Sequence, residues 1–210
     1  RSLPIVAQPI EALLDGSTRR QYEAAEQSAG FLRIRRVECT EQTSEGLTVA
    51  SQVLEVVEPG PLSLHTVAVA VLTRDPEGQI LLGIAQDDLP AAQLFTGNSN
   101  LAVTPAWRLP HTIHNLDEAR QFARARLLEE YGVSTGECWE LGGAYYPSPG
   151  LTPERVFPLA FEVTAIPSTS PPIQPLWWIP LERLVRTPEA LREGHLRVVA
   201  LRAAHALTIA

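Results

Sequence analysis

The chain has 210 residues, 45% of them hydrophobic, and its 17 basic and 24 acidic side chains give a net charge of −7. That length suits one domain with a small extension and can bury a real core, while the acidic balance excludes the basic patch that a nucleic-acid footprint needs. Cys39 and Cys138 are too few for a disulfide framework, and no apolar run reaches the ~18 residues that span a bilayer, so neither nucleic acid nor membrane is expected as a partner and the cytoplasm is the expected location.

Residues 8 to 28 are polar and rich in Ala and Glu, which predicts a short helix ending near Gly30. Residues 31 to 38 alternate apolar and charged, and a second alternating run, Leu47 to Val57, follows the turn at Glu45-Gly46. The two predict an antiparallel pair. Val67 to Leu72 is continuously apolar, as a strand covered on both faces would be. Asp75-Pro76-Glu77-Gly78 has tight-turn chemistry and leads into a strand from Gln79 to Ile84. From Gln86 to Trp107 no period is visible, and a loop of that length often covers a site.

A helix is predicted from Leu116, with Asn115 as N-cap and Glu118 three residues on, ending at Gly132. Strands are expected over 140 to 145 and 156 to 163, then a Pro/Ser-rich loop from Ser168 to Pro175. After Trp177-Trp178-Ile179, residues 188 to 193 predict a short helix, Gly194 a turn, and Leu196 to Leu207 a closing helix. There is no internal repeat.

The most informative stretch runs from Trp107 to Val133. It resembles the box of the Nudix superfamily, G-x5-E-x7-R-E-U-x-E-E-x-G-U with U aliphatic, which binds divalent metal and diphosphate. Anchoring on Glu129-Glu130-Tyr131-Gly132-Val133 places Leu127 at the first aliphatic position. The pattern's Arg then falls on Ala125, its next Glu on Arg126, its earlier Glu on Asp117 and its opening Gly on His111. The end of the box survives and most of its charged start does not. Tyr145 to Arg155 is similar to a loop in the ADP-ribose (ADP-sugar) pyrophosphatase branch, where Ser-Pro-Gly is followed four residues later by a Glu; here these are Ser148-Pro149-Gly150 and Glu154.

The resemblance implies a Nudix α/β/α sandwich around a mixed β-sheet with an N-terminal β-hairpin extension. It divides the chain into residues 1–60, a helix and hairpin serving a homodimer, and residues 61–210, the Nudix-like domain. It implies Mg²⁺ or Mn²⁺ as cofactor, Glu129 and Glu130 as metal ligands, and Glu154 in water activation. Arg108, Arg126, Ser148 and Gly150 are the expected contacts to a nucleoside diphosphate-type small molecule, although Arg108 and Arg126 stand where the family has Glu.

Positions 126, 129 and 130 share one helical face. Where the family carries three Glu, this face carries Arg126, Glu129 and Glu130, a sum of +1 −2 = −1. A guanidinium there supplies charge that a metal would have supplied, so weak or absent metal binding is expected. Ala125 removes the buttressing Arg of the box, and Gln86-Asp87-Asp88 replaces basic residues the family places after that strand. His111 and His114 read as polar loop residues rather than a metal pair.

Two functions follow from the resemblance. One is a Nudix-fold protein whose metal-dependent diphosphate hydrolysis is weakened or lost, leaving a nucleotide sensor or scaffold. The alternative is an active hydrolase of a nucleoside diphosphate derivative that uses a reduced metal-ligand set. A sugar-nucleotide dehydratase has only a faint likeness around Gly97-Asn98-Ser99-Asn100 in its favour.

Overall fold

The computed structural model describes residues 5–11, 32–59, 64–89, 92, 100–165 and 174–207. Nearly all of the helix expected over residues 8 to 28, and most of the loop over 168 to 175, lies outside these.

The first two strands, β1 (Leu32–Gln42) and β2 (Thr48–Pro59), form a two-stranded antiparallel sheet of their own. Thr43 Oγ1 accepts the amides of Glu45 and Leu47 to close the turn, and Gly46 takes the left-handed conformation at φ 82°. Cross-strand pairs line the hairpin: Arg36 faces Glu55 at 2.9 Å, and Ser51 donates to Glu38 at 2.7 Å.

Seven further strands build the main sheet. They are β3 (His65–Arg74), β4 (Ile80–Asp88), β5 (Asn100–Val103), β6 (Ala106–Arg108), β7 (Ser134–Glu140), β8 (Arg155–Ala165) and β9 (Trp177–Pro180). The path is β5-β4-β3-β8-β7, with β6 on β3 and β9 on β4. β3 and β8 are parallel and the other pairs are antiparallel. Among the described residues the helices are α1 (Leu116–Tyr131), α2 (Leu181–Val185) and α3 (Gly194–Ala206), with a 3₁₀ turn at Pro188–Ala190.

Strand parity explains the layers. Val67, Val69 and Val71 of β3 join Ala119, Ala123, Leu127 and Tyr131 of α1 in one core. Ala68, Ala70 and Leu72 point the other way and pack with Leu181 and Leu184 of α2 and with Val199, Ala200 and Ala203 of α3. A strand buried on both faces has no polar positions to spare, which is why its sequence lacks alternation. The result is an α/β/α sandwich, as expected. Each fully buried side chain such as Leu127 or Phe161 contributes ~1.5–3 kcal/mol relative to exposure.

α1 begins and ends where its sequence says. Asn115 caps it by accepting the amide of Glu118 at 2.9 Å, and Gly132 ends it at φ 63°, donating to the carbonyl of Leu128.

Elsewhere the elements differ from expectation. The strand expected over 140 to 145 lies instead at 134–140, because Gly142 at φ 79° and Gly143 turn the chain there; Tyr145 keeps only an isolated bridge to Val156. The stretch expected to be a loop from 86 to 107 holds β5 and β6, which at four and three residues are too short to show a period. The helix expected over 188 to 193 is a single 3₁₀ turn, and five-residue α2 precedes it. Gly194 opens α3 rather than a turn, since the Glu193 carboxylate caps that end by accepting the amides of His195 and Leu196.

Candidate functional site

The box remnant occupies the last turn of α1. Arg126 reaches both carboxylates below it: its Nη1 donates to Glu129 Oε2 at 3.0 Å, and its Nη2 contacts Glu130 Oε1. These are the i,i+3 and i,i+4 relations of one helical face. Glu129 is largely exposed, whereas Glu130 is mostly covered, its side chain 18% accessible against 63%.

Glu130 has a second partner. The indole Nε1 of Trp107 on β6 donates to its Oε2 at 2.9 Å, so both oxygens are engaged. The Trp107 ring meets Tyr131 edge-on, with centroids 6.2 Å apart. Burial raises the Tyr131 phenol pKa well above the ordinary tyrosine value, the negative charges of Glu130 and Asp87 add to the rise, and Arg126 opposes it.

Glu154 stands elsewhere. Its Oε1 accepts the hydroxyl of Thr66 at 2.6 Å and faces Arg108 Nη2 at 3.6 Å. Thr66 and Arg108 are register partners on β3 and β6, and their neighbours Val67 and Trp107 are the next pair. Because successive strand residues point to opposite faces, the Trp107–Glu130 contact belongs to the α1 side and the Thr66–Arg108–Glu154 group to the α3 side. Tyr145 lies on that second side. Its hydroxyl is 2.7 Å from His195 Nδ1, Arg202 stacks over its ring at 5.5 Å, and burial raises its pKa with help from Glu193 and Glu154.

Among the described residues no group of three or more His, Cys, Asp or Glu side chains is placed to hold a metal ion. The arrangement does not fit the implied Mg²⁺ or Mn²⁺: Arg126 spans the two helix carboxylates, and Glu154 is on the other face of the sheet. The implied substrate contacts also divide. Arg126 and Arg108 are each committed to a carboxylate. Ser148 and Gly150 sit in a turn before β8, where the Ser148 carbonyl accepts the amides of Leu151 and Thr152, and Leu151 in turn accepts the amide of Val57 from β2. His111 and His114 are exposed in the loop before α1.

Sequence reasoning missed Trp107, Thr66, Tyr145 and His195 as members of these groups. The parity of β6 was the available signal for Trp107, but a three-residue strand does not announce itself. The Tyr145–His195 contact spans 50 positions and leaves no local trace.

The two helical layers around a mixed seven-stranded sheet, with a loop-helix-loop between β6 and β7, make this a Nudix-like α/β/α fold. One similar solved structure is described as the crystal structure of an ADP compounds hydrolase; it shares 15% identity over 89% of this chain and 91% of that chain, with a TM-score of 0.59. At that identity the likeness is one of fold. No protein-family model and no curated protein matches the sequence.

Proposed function

We propose that this is a Nudix-fold protein that binds a nucleoside diphosphate-type small molecule, with metal-dependent diphosphate hydrolysis weakened or lost. The observation that carries this reading is Arg126, which bridges Glu129 and Glu130 from within the helix and offsets one of their two charges, while Trp107 takes the remaining oxygen of Glu130. A cation entering this face would have to displace a guanidinium and break an indole hydrogen bond, and both costs come out of its binding energy. The Ser148-Pro149-Gly150 turn and the fold-level likeness to an ADP compounds hydrolase support a nucleotide derivative as ligand.

The reading also includes a homodimer. β1 and β2 form a two-stranded sheet, which is marginal on its own. They expose Ile34 at 70%, Val53 at 65% and Leu54 at 42%. A second copy of the hairpin region is the simplest cover for these residues.

Active hydrolysis with a reduced ligand set is the second reading. It is favoured by Glu154, whose side chain is only 12% accessible and whose contacts with Thr66 and Arg108 both fall on Oε1. Its other oxygen accepts no hydrogen bond among the described residues. Calorimetric titration of Mg²⁺ and Mn²⁺ with and without ADP-ribose, alongside a hydrolysis assay, separates the two. Nucleotide binding with weak metal binding and no turnover supports the first reading. Tight metal binding by the free protein, or turnover abolished by Glu154→Gln, overturns it.

A further inference from the structure

A cleft of about 270 Å³ lies at the opposite end of α1 from the carboxylates. Its sheet side carries His65, Arg155 and Phe157, and its helix side carries Ile113, His114 and Leu116. At 1.5 Å per residue, the helix separates Leu116 from Glu130 by roughly 21 Å. The two regions are therefore distinct.

We propose that this cleft is a second ligand site, for a small oxyanion carried on an apolar or aromatic body. His65 and Arg155 open the parallel strands β3 and β8 and are register partners, so an imidazole and a guanidinium stand on adjacent strands. The Arg155 guanidinium lies 5.0 Å over the Phe157 ring, and His65 meets the same ring edge-on at 5.7 Å. That cation–π contact does not use the N–H donors of the guanidinium. Among the described residues Arg155 forms no ion pair.

The acids of the first helical turn are already engaged. Glu118 accepts the amide of His114 at 2.7 Å and the side-chain amide of Asn115 at 2.8 Å, and Asp117 pairs with Arg120 at 2.6 Å. The helix end itself is capped by Asn115, so recognition falls to side chains. One cation and two imidazoles above an apolar floor suit an anionic head joined to a hydrophobic body. The volume, just under the ~300 Å³ at which drug-sized pockets begin, limits the occupant to something the size of phenyl phosphate or benzoate.

The test uses the intact chain and three probes, namely phenyl phosphate, benzoate and benzyl alcohol, titrated by calorimetry with the His65 and His114 ring protons followed by NMR. Saturable binding of either anion is expected, with benzyl alcohol at least about tenfold weaker. The better of the two anions identifies the head group as phosphate or carboxylate, and either supports the site. Arg155→Gln, at an exposed position, should weaken the preferred anion about tenfold, while Arg126→Gln leaves it unchanged. Absence of saturation, indifference to Arg155→Gln, or loss in Arg126→Gln instead would overturn the proposal.

Discussion

Trp107 donates its indole hydrogen to Glu130 at 2.9 Å, and its neighbour Arg108 faces Glu154 at 3.6 Å on the other side of the sheet. Two consecutive residues of one short strand thus hold two carboxylates that the box and loop motifs would have brought to one cation. Trp107→Phe keeps the ring against Tyr131 but removes the donor from a mostly covered acceptor. The expected cost is about 1–2 kcal/mol, measured by urea denaturation. A variant as stable as the parent would show the hydrogen bond to be incidental.

Repair of the helix face tests the role of Arg126. Arg126→Glu places three carboxylates on one helical face, and adding Ala125→Arg supplies the missing buttress. Mg²⁺ or Mn²⁺ affinity should rise at least about tenfold in the double variant, more than the single changes sum to, because the sites share a network. Calorimetry reads this directly. Unchanged affinity would place the lesion elsewhere, with Glu154 on the far face the first candidate.

Alkaline pH should destabilise the fold through Tyr131 and Tyr145, whose folded-state pKa values are both raised by burial. A group with a raised folded pKa stabilises fully below its unfolded value and loses that contribution as pH climbs from there toward the folded value. For tyrosine the loss begins near pH ~10. Thermal melts from pH 8 upward should therefore fall beyond that point, and Tyr131→Phe should flatten the decline. An equal decline in that variant would assign the effect to other groups.

Gly132→Ala forces a Cβ into the left-handed region at φ 63°. A loss of about 1 kcal/mol is expected in urea denaturation, since the αL cap at this end serves the carbonyls of Leu127 and Leu128. No loss would mean that the helix end relaxes to another termination.

For the hairpin, light scattering at micromolar concentration should report a dimer. Ile34→Lys together with Leu54→Lys should convert it to monomer. Ile34 and Leu54 point to opposite faces of the two-stranded sheet, so the single changes identify which face is covered. A monomeric parent protein would end the dimer reading.

How much was legible depended on how locally each signal is written. α1 carries its own period, N-cap and C-cap, and its limits are those the sequence predicts. β3 announces its double burial through six consecutive apolar residues from Val67 to Leu72. β7 hides because Gly136, Glu137 and two register shifts against β8 break its alternation. The site is legible only in pieces: motif spacing says that Arg126, Glu129 and Glu130 share a face, and they do. It cannot say on which side of the sheet Glu154 emerges, because that is decided by the register of β8 on β3, where Arg155 meets His65 across 90 positions of chain.

β3 is forked along one edge. Residues 66–68 pair with β6 and residues 71–74 with β4, while β8 runs along the other edge from 65 to 72. At the fork, Val69 donates its amide to the Pro105 carbonyl at 2.9 Å, and its own carbonyl accepts the buried Thr104 hydroxyl at 2.5 Å. That pin makes Thr104-Pro105 an anchor for everything downstream. Changes of length or sequence upstream of Asn100 are therefore expected to leave Trp107 and Arg108 in their register on β3. Under the proposed function, this insulation lets ligand preference vary upstream of the pin while the two carboxylate anchors stay in register. A search for altered ligand preference should begin there, upstream of the pin, and leave β6 untouched.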